Sequence, residues 1–549
     1  MDSKEILNFC LERGLLIDKE ILNLFSGTTD VESAKLIIEK IKSKTNSRII
    51  NRKVFYENQD KIEEFFSVIP EGKRENIQKL KIELGLSIEI SKQELKPIML
   101  QLHEEQKTEI ISISPINNLG EEIKKINLVF EEPKIKVVST YPLISKKFEL
   151  NDFVTHFRNR FSEISGFIQE RPELTNLVSI NKISGNKQTI SIIGIVSDKR
   201  TTKNKNIMLE VEDLTGRIKV IVNQNKKELY EKAENLCLDS IIGIKGTGSR
   251  EIFFANDIFF PEAMIPERKF SPIEEYALFI SDIHIGSKLF FEKNFLKFID
   301  YLNGKIPNTP EVENIKYLFA VGDIVAGIGV YPGQEKDLEI KDIEGQYLKA
   351  AELFSRIRSN IQIIMLPGNH DCVRLAEPQP VLDEKYAWPL YNLKNITMVS
   401  NPSTINIGAK KNFSGFDVFA YHGFSYPYYV NNVPKLMAAD AINAPDKIMH
   451  YLLQHRHLAP THSSVQYTPH ERDPLVIRKA PDIFVSGHTH KGAVSYYNNI
   501  LVISSTCWES LTPFQEKMGN KPDFCKVPMF NLKTRAVRIL DFYEKEIEI

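Results

Sequence analysis

The chain has 549 residues, with 71 Lys and Arg against 72 Asp and Glu, so its formal net charge is −1. That length implies more than one domain. The balance removes any global basic attraction for nucleic acid and leaves only local patches to supply one. Five scattered cysteines (Cys10, Cys237, Cys372, Cys507 and Cys525) form no CxxC pair. This argues against a zinc ribbon or a disulfide framework and fits a reducing, cytoplasmic setting. No apolar run approaches the roughly 18 residues of a membrane span, so no membrane partner is expected. The opening MDSKEILNFCLERG is charged and amphipathic rather than signal-like.

In chain order, residues 1–45 read as a small helical module. Ile6, Leu7, Cys10 and Leu11, then Ala34, Ile37, Ile38 and Ile41, follow helical spacing, and Asp30 suits the cap of the third helix. Residues 46–145 turn Lys-, Glu- and Asn-rich with little sustained period, which predicts a mobile linker. Residues 146–268 regain order. A helix led by Asn151-Asp152 carries Phe153, Phe157, Phe161, Ile164 and Ile168. Strand-like stretches follow at 191–196, 207–211, 218–222, 240–245 and 252–258, with a helix near 227–234. Five short strands with one inserted helix predict an OB-fold β-barrel. The turn Asp213-Leu214-Thr215-Gly216 lies between two of the strands. Lys199, Arg200, Lys203 and Lys205 in its first loop suit either phosphate contact or plain solvation.

Residues 269–549 carry five polar clusters. Ser281-Asp282-Ile283-His284, Gly322-Asp323, Gly368-Asn369-His370-Asp371, His422-Gly423 and Gly487-His488-Thr489-His490 each follow an apolar run, at 276–280, 315–321, 361–366, 416–421 and 483–485. Such runs read as buried strands of an α/β fold, and the carboxyl ends of strands are where such sheets place their sites. An amphipathic stretch at 339–357 reads as the crossover helix between the second and third strands. Asp282, Asp323 and Asn369 offer hard oxygens, and His284, His422, His488 and His490 offer imidazole nitrogens. A mixed oxygen and nitrogen set suits Mn, Fe, Zn or Mg ions. One carboxylate must bridge two ions set roughly 3.5–4 Å apart. Asp323, standing alone between the other clusters, is the candidate. The insertion 424–479, with His450, His455, His457, His462 and His470, is expected to shape a substrate channel, with Arg456 and His457 near the phosphate path. Trp508, Phe514 and Phe524 are expected to pack the domain.

The set Asp-x-His, Gly-Asp, Gly-Asn-His-Asp, His-Gly and Gly-His-x-His resembles the calcineurin-like metallophosphoesterase superfamily. The resemblance implies a two-layer β-sandwich flanked by helices. It gives one metal Asp282, His284, Asp323 and His490, and a second metal Asp323, Asn369, His422 and His488. It also implies that His370 is catalytic, facing the scissile phosphate, and that Asp371 orients it. Three stretches sharpen the likeness: Gly322-Asp323-Ile324-Val325-Ala326-Gly327-Ile328-Gly329-Val330-Tyr331-Pro332-Gly333-Gln334, Gln454-His455-Arg456-His457-Leu458-Ala459-Pro460 and Trp508-Glu509-Ser510-Leu511-Thr512-Pro513-Phe514-Gln515. With an OB fold ahead of the phosphoesterase, these resemble the small subunits of archaeal family D DNA polymerases. That family implies a metal-dependent 3′-to-5′ exonuclease, with manganese the expected ion. It further implies a large catalytic subunit as heterodimer partner and single-stranded or primer-template DNA as substrate, and leaves contact with a sliding clamp open. Two alternatives stand beside this reading: a mainly structural polymerase scaffold, and a metallophosphodiesterase unrelated to replication.

Overall fold

Helices Asp2–Glu12, Lys19–Thr28 and Val31–Lys44 open the computed structural model, which describes residues 2–45, 135–143, 146–184, 189–517 and 519–544 together with part of 47–92. Asp18 and Asp30 cap the second and third helices by accepting the backbone N–H of Glu20 and of Ser33. The core of this module does not end at 45. Val54, Phe55, Phe65, Phe66, Ile77, Leu80 and Leu84 pack against Ile6, Phe25, Ile37 and Ile41. Within its described residues the linker expected over 46–145 is corrected, because a few large aromatics pack on the helices despite the charged sequence around them. Strand Glu89–Lys92 adds in parallel to Val537–Asp541, and strand Lys136–Ser139 adds antiparallel to Ser403–Ile407. The supposed linker thus contributes an edge strand to each sheet of the last domain. Residues 93–134 lie outside the described residues.

The five barrel strands, Ile190–Thr201, Ile207–Glu212, Arg217–Val222, Ile252–Phe259 and Ile241–Gly248 in spatial order, close on themselves. Helix Lys227–Glu234 plugs the gap through Leu229 and Ala233. Asp213 forms the expected turn by accepting from the N–H groups of Thr215 and Gly216. Lys199, expected in the first loop, lies instead within the first strand and is already engaged, donating to the carbonyls of Glu234 and Leu236 at 2.6 Å. Only Arg200, Lys203 and Lys205 of that basic group stand in solvent.

The remaining chain forms a sandwich of a seven-stranded and a six-stranded sheet. Phe279, Phe319, Ile364, Val418, Val485 and Ile503 fill the space between them. Helices Glu292–Leu302, Ile343–Ser355 and Glu384–Tyr391 cover one outer face, and the helices of the insertion cover the other. The result is a two-layer β-sandwich flanked by helices, preceded by an OB-fold barrel. No helix among the described residues is long and apolar enough to cross a membrane.

Helix Leu150–Gln169 ties the barrel to the insertion. Its Ile164 and Ile168 pack with Ile193 and Ile241 of the barrel and Val476 of the insertion. Arg160 bonds the buried Asp473 carboxylate, which also takes His457 Nε2 at 2.9 Å. This corrects the expectation for 456–457. His457 is fully buried in that network, and Arg456 lies 3.9 Å over the Phe167 ring while donating to the carbonyls of Ile477 and Arg478. Both serve the domain joint, not the phosphate path. Burial pushes His455 and His457 down to about 4, so the folded rings stay neutral. An unfolded histidine protonates near pH 6.5, so the unfolded state binds more protons between about pH 6.5 and 4. Thermal stability is therefore expected to fall as pH drops through that window. Melting midpoints that stay flat from pH 7 to 4.5 would contradict this.

Candidate two-metal active site

Each polar cluster follows a strand end. Strands Tyr276–Ile280, Ile315–Val321 and Gln362–Leu366 run parallel in one sheet, and Phe416–Ala420 runs parallel to Ile483–Ser486 in the other. Asp282, Asp323, Asn369, His422 and His488 therefore emerge at the same edge of the sandwich. The local backbone is forced there. Asp282, His284, Asp323, His488 and His490 all hold φ between 50° and 70°, a left-handed region that side-chain-bearing residues rarely occupy. Close approach adds a second demand. A Cβ on Gly368 would sit 2.1 Å from Asp323 Oδ1, and one on Gly322 would sit 2.4 Å from His422 Nδ1.

The side chains converge as three groups that could each hold an ion, Asp282–His284–His490, Asp323–His422–His488 and His284–Asp323–His370. In the first, His490 Nε2 lies 3.4 Å from Asp282 Oδ1 and 3.1 Å from His284 Nε2. In the second, His422 Nε2 lies 3.3 Å from Asp323 Oδ2 and 3.1 Å from Asn369 Oδ1. Asp323 Oδ2 is also 3.9 Å from His284 Nε2, so this carboxylate faces both groups. The donor set fits divalent cations. Two imidazole nitrogens 3.1 Å apart repel unless a proton or a cation lies between them, and the oxygens around them are carboxylate and amide. Burial depresses His284 to about 4 and His488 to about 3, leaving both as the neutral rings that donate a lone pair. Burial alone would raise Asp323, but the adjacent His422 and His370 hold it well below the usual carboxylate range.

The surroundings fix the ring orientations. His422 Nδ1 donates to the Val321 carbonyl at 2.9 Å, and Asn401 Oδ1 accepts the His422 backbone N–H. His370 Nδ1 donates to the Ala326 carbonyl at 2.8 Å. Its Nε2 faces Asp323 Oδ2 at 4.0 Å, with the ring 20% exposed at the mouth of the cluster. Asp371 does not orient His370, contrary to the expectation. Its carboxylate turns inward and accepts the N–H groups of Gly368, Ile324 and Val325, pinning the loops that carry Asp323 and Asn369. The neighbouring backbone offers that carboxylate three donors at one point, whereas His370 already has the Ala326 carbonyl.

The calcineurin-like phosphoesterase family model matches residues 277–492, and the OB-fold nucleic acid binding domain model matches 190–256. The DNA polymerase II small subunit of Methanothermobacter thermautotrophicus is 38% identical over 398 residues, covering 72% of this chain and 80% of that protein. The chain belongs to the DNA polymerase II small subunit family. Two other members, from Pyrococcus furiosus and Methanocaldococcus jannaschii, are each 38% identical, over 71% and 70% of this chain and 63% and 64% of theirs. The phosphoesterase domain of this small-subunit chain therefore carries side chains able to hold divalent metals.

Two residues within the family-like stretch 508–515 complete the site, and reasoning from the clusters missed them. Glu509 lies with Oε2 4.0 Å from His284 Nε2, and its other oxygen accepts from Ser287 Oγ. The Gln515 amide sits 2.9 Å from His490 Nδ1 and fixes that ring's rotation. Partners of this kind typically set metal affinity by about 10- to 100-fold. Gln515→Leu is accordingly expected to weaken divalent-metal binding about tenfold with no loss of fold. Calorimetric titration with Mn²⁺ beside circular dichroism checks this, and unchanged affinity would contradict it.

Proposed function

We propose that this chain is a metal-dependent 3′-to-5′ exonuclease acting on single-stranded DNA ends, the proofreading subunit beside a large catalytic polymerase subunit. The observation that carries the reading is the Asp323 carboxylate shared by two histidine-rich groups, with His370 beside it at the open mouth. Asp282, His284, Asp323 and His490 would hold one ion, and Asp323, Asn369, His422 and His488 the second. Bound ions supply positive charge to the phosphodiester and make water nucleophilic near neutral pH. Manganese is the expected ion.

The chain's own residues do the rest. The backbone at Asp282, Asp323 and His488 is fixed before substrate arrives, so the donors need no reorganisation. His370 sits where the departing 3′ oxygen would lie. With Nδ1–H held on the Ala326 carbonyl, Nε2 is the atom left to face that oxygen; as the imidazolium the ring would pass its Nε2 proton to the oxygen and recover one from the attacking water. Hydrolysis consumes one water per bond and yields a 5′-mononucleotide and a strand shortened by one, ending in a 3′ hydroxyl. The OB-fold barrel supports nucleic acid as the substrate class.

A mispaired primer end unpairs more easily and reaches such a site as single strand. The assembled complex is thus expected to remove mispaired 3′ termini faster than paired ones, in a reaction stopped by chelator and restored by Mn²⁺. Equal rates for the two termini would contradict the proofreading role.

A further inference from the structure

An open cavity of about 660 Å³ lies beside the candidate metal ligands, lined by Phe153, Ala376, Phe424, His462, Tyr467 and the run between the last two. Phe424 joins it to the active site, its ring 5.7 Å from that of His488. The Ala376 wall is pinned to the insertion, since Glu377 N–H donates to the Gln466 carbonyl and Thr468 N–H to the Glu377 carbonyl, both at 2.9 Å. The aromatic rim is likewise preset. Tyr467 stacks on His156 at 5.4 Å and 12°, Phe153 meets it edge-on at 6.3 Å, and its hydroxyl bonds His462 Nδ1 at 2.6 Å. Ser463, Ser464 and Gln466 add donors and acceptors to the same wall.

We infer that this cavity receives the terminal nucleoside of the single strand whose phosphodiester lies on the metal cluster. The inference rests on the exonuclease reading and names how that site takes its substrate. Rigid aromatic rings stack on any base, and the serines and Gln466 meet base edges without demanding one sequence. The helix Leu150–Gln169 supplies Phe153 while the insertion supplies Tyr467, so the cavity exists only where those two elements are clamped together. A base still paired to a template cannot enter, which makes the cavity the selector for frayed ends.

Two variants remote from the ligand clusters test this in the full chain. Phe153→Ala removes one aromatic wall, and Ser463→Trp fills the space. Turnover of single-stranded DNA, relative to that of bis(p-nitrophenyl) phosphate, a diester with no base, is expected to fall about tenfold in each. An oligonucleotide ending in 2-aminopurine provides a second readout. With chelator present, the unaltered chain is expected to quench its fluorescence by stacking, and both variants to lose the quench. Absence of the quench in the unaltered chain, its persistence in both variants, or an equal fall on DNA and the small diester would overturn the inference. The quench needs no cleavage, so it decides the cavity's role even if the chain cuts no DNA.

Discussion

Asp323→Ala is expected to lower phosphodiester hydrolysis by at least about a thousandfold while leaving the fold intact, the largest effect of any single change at the site. Three observations combine. The carboxylate faces both histidine groups, so its loss deprives both candidate ions of an oxygen ligand. Its Oδ1 accepts the His370 backbone N–H at 2.8 Å, so the loop carrying the His370 ring loses an anchor. Its negative charge also draws positive charge to this buried point: it holds the neighbouring His422 up at about 9 against the burial that would lower it, and a bound cation would displace that proton. The change empties little volume, so stability should move far less than activity. The check pairs hydrolysis of single-stranded DNA and of bis(p-nitrophenyl) phosphate with calorimetric metal binding. Activity within tenfold of the unaltered chain would show that Asp323 does not bridge the two groups.

Arg160→Leu is expected to produce the largest loss of stability outside the site. Asp473 is buried to 1% exposure and carries its charge there because Arg160 and the rings of His457 and His156 surround it. Burial pushes that carboxyl up, and the Arg160 and His457 partners hold it well below the usual range. Removing the guanidinium leaves a buried carboxylate with only the Leu475 N–H and neutral imidazoles around it. An uncompensated buried charge of this kind costs about 3–5 kcal/mol. The double variant Arg160→Leu, Asp473→Leu should recover most of that loss, because no buried charge then remains. Denaturant midpoints for the two singles and the double form the cycle. Additive losses, or a single-variant loss under about 1 kcal/mol, would place the joint's stability in the apolar contacts of Ile164, Ile168 and Val476 instead.

The convergence of the five polar clusters was legible in the sequence because each directly follows a buried strand, and parallel strands bring their carboxyl ends to one edge. Register then leaves Asp282, Asp323, Asn369, His422 and His488 little freedom about where to converge. The barrel was legible for a similar reason, since alternating strands, the Asp213 turn and one inserted helix are local signals. Residues whose role depends on distant backbone could not be read. Asp371 stands beside His370 in sequence, yet three N–H groups from two separate loops decide where its carboxylate points. His457 and Arg456 read as phosphate-facing until helix Leu150–Gln169 is docked against them. Edge strands such as Glu89–Lys92 and Lys136–Ser139 are too short to show a period, and their partners lie hundreds of residues away. Glu509 and Gln515 carry no cluster pattern, and only the chain's return after the last strand pair brings them to His284 and His490.

The exonuclease reading requires that these converging Asp, Asn and His side chains serve the removal of nucleotides from the 3′ end of DNA. The most direct test incubates the purified chain with single-stranded DNA labelled at its 3′ or its 5′ end, with Mn²⁺, beside His370→Ala and Asp323→Ala. Immediate release of labelled mononucleotide from the 3′-labelled strand, stepwise shortening of the 5′-labelled strand, and loss of both in the variants and in chelator are the predicted results. Intact DNA under all conditions, with or without the large subunit, would contradict the account and leave the metallophosphoesterase domain a scaffold.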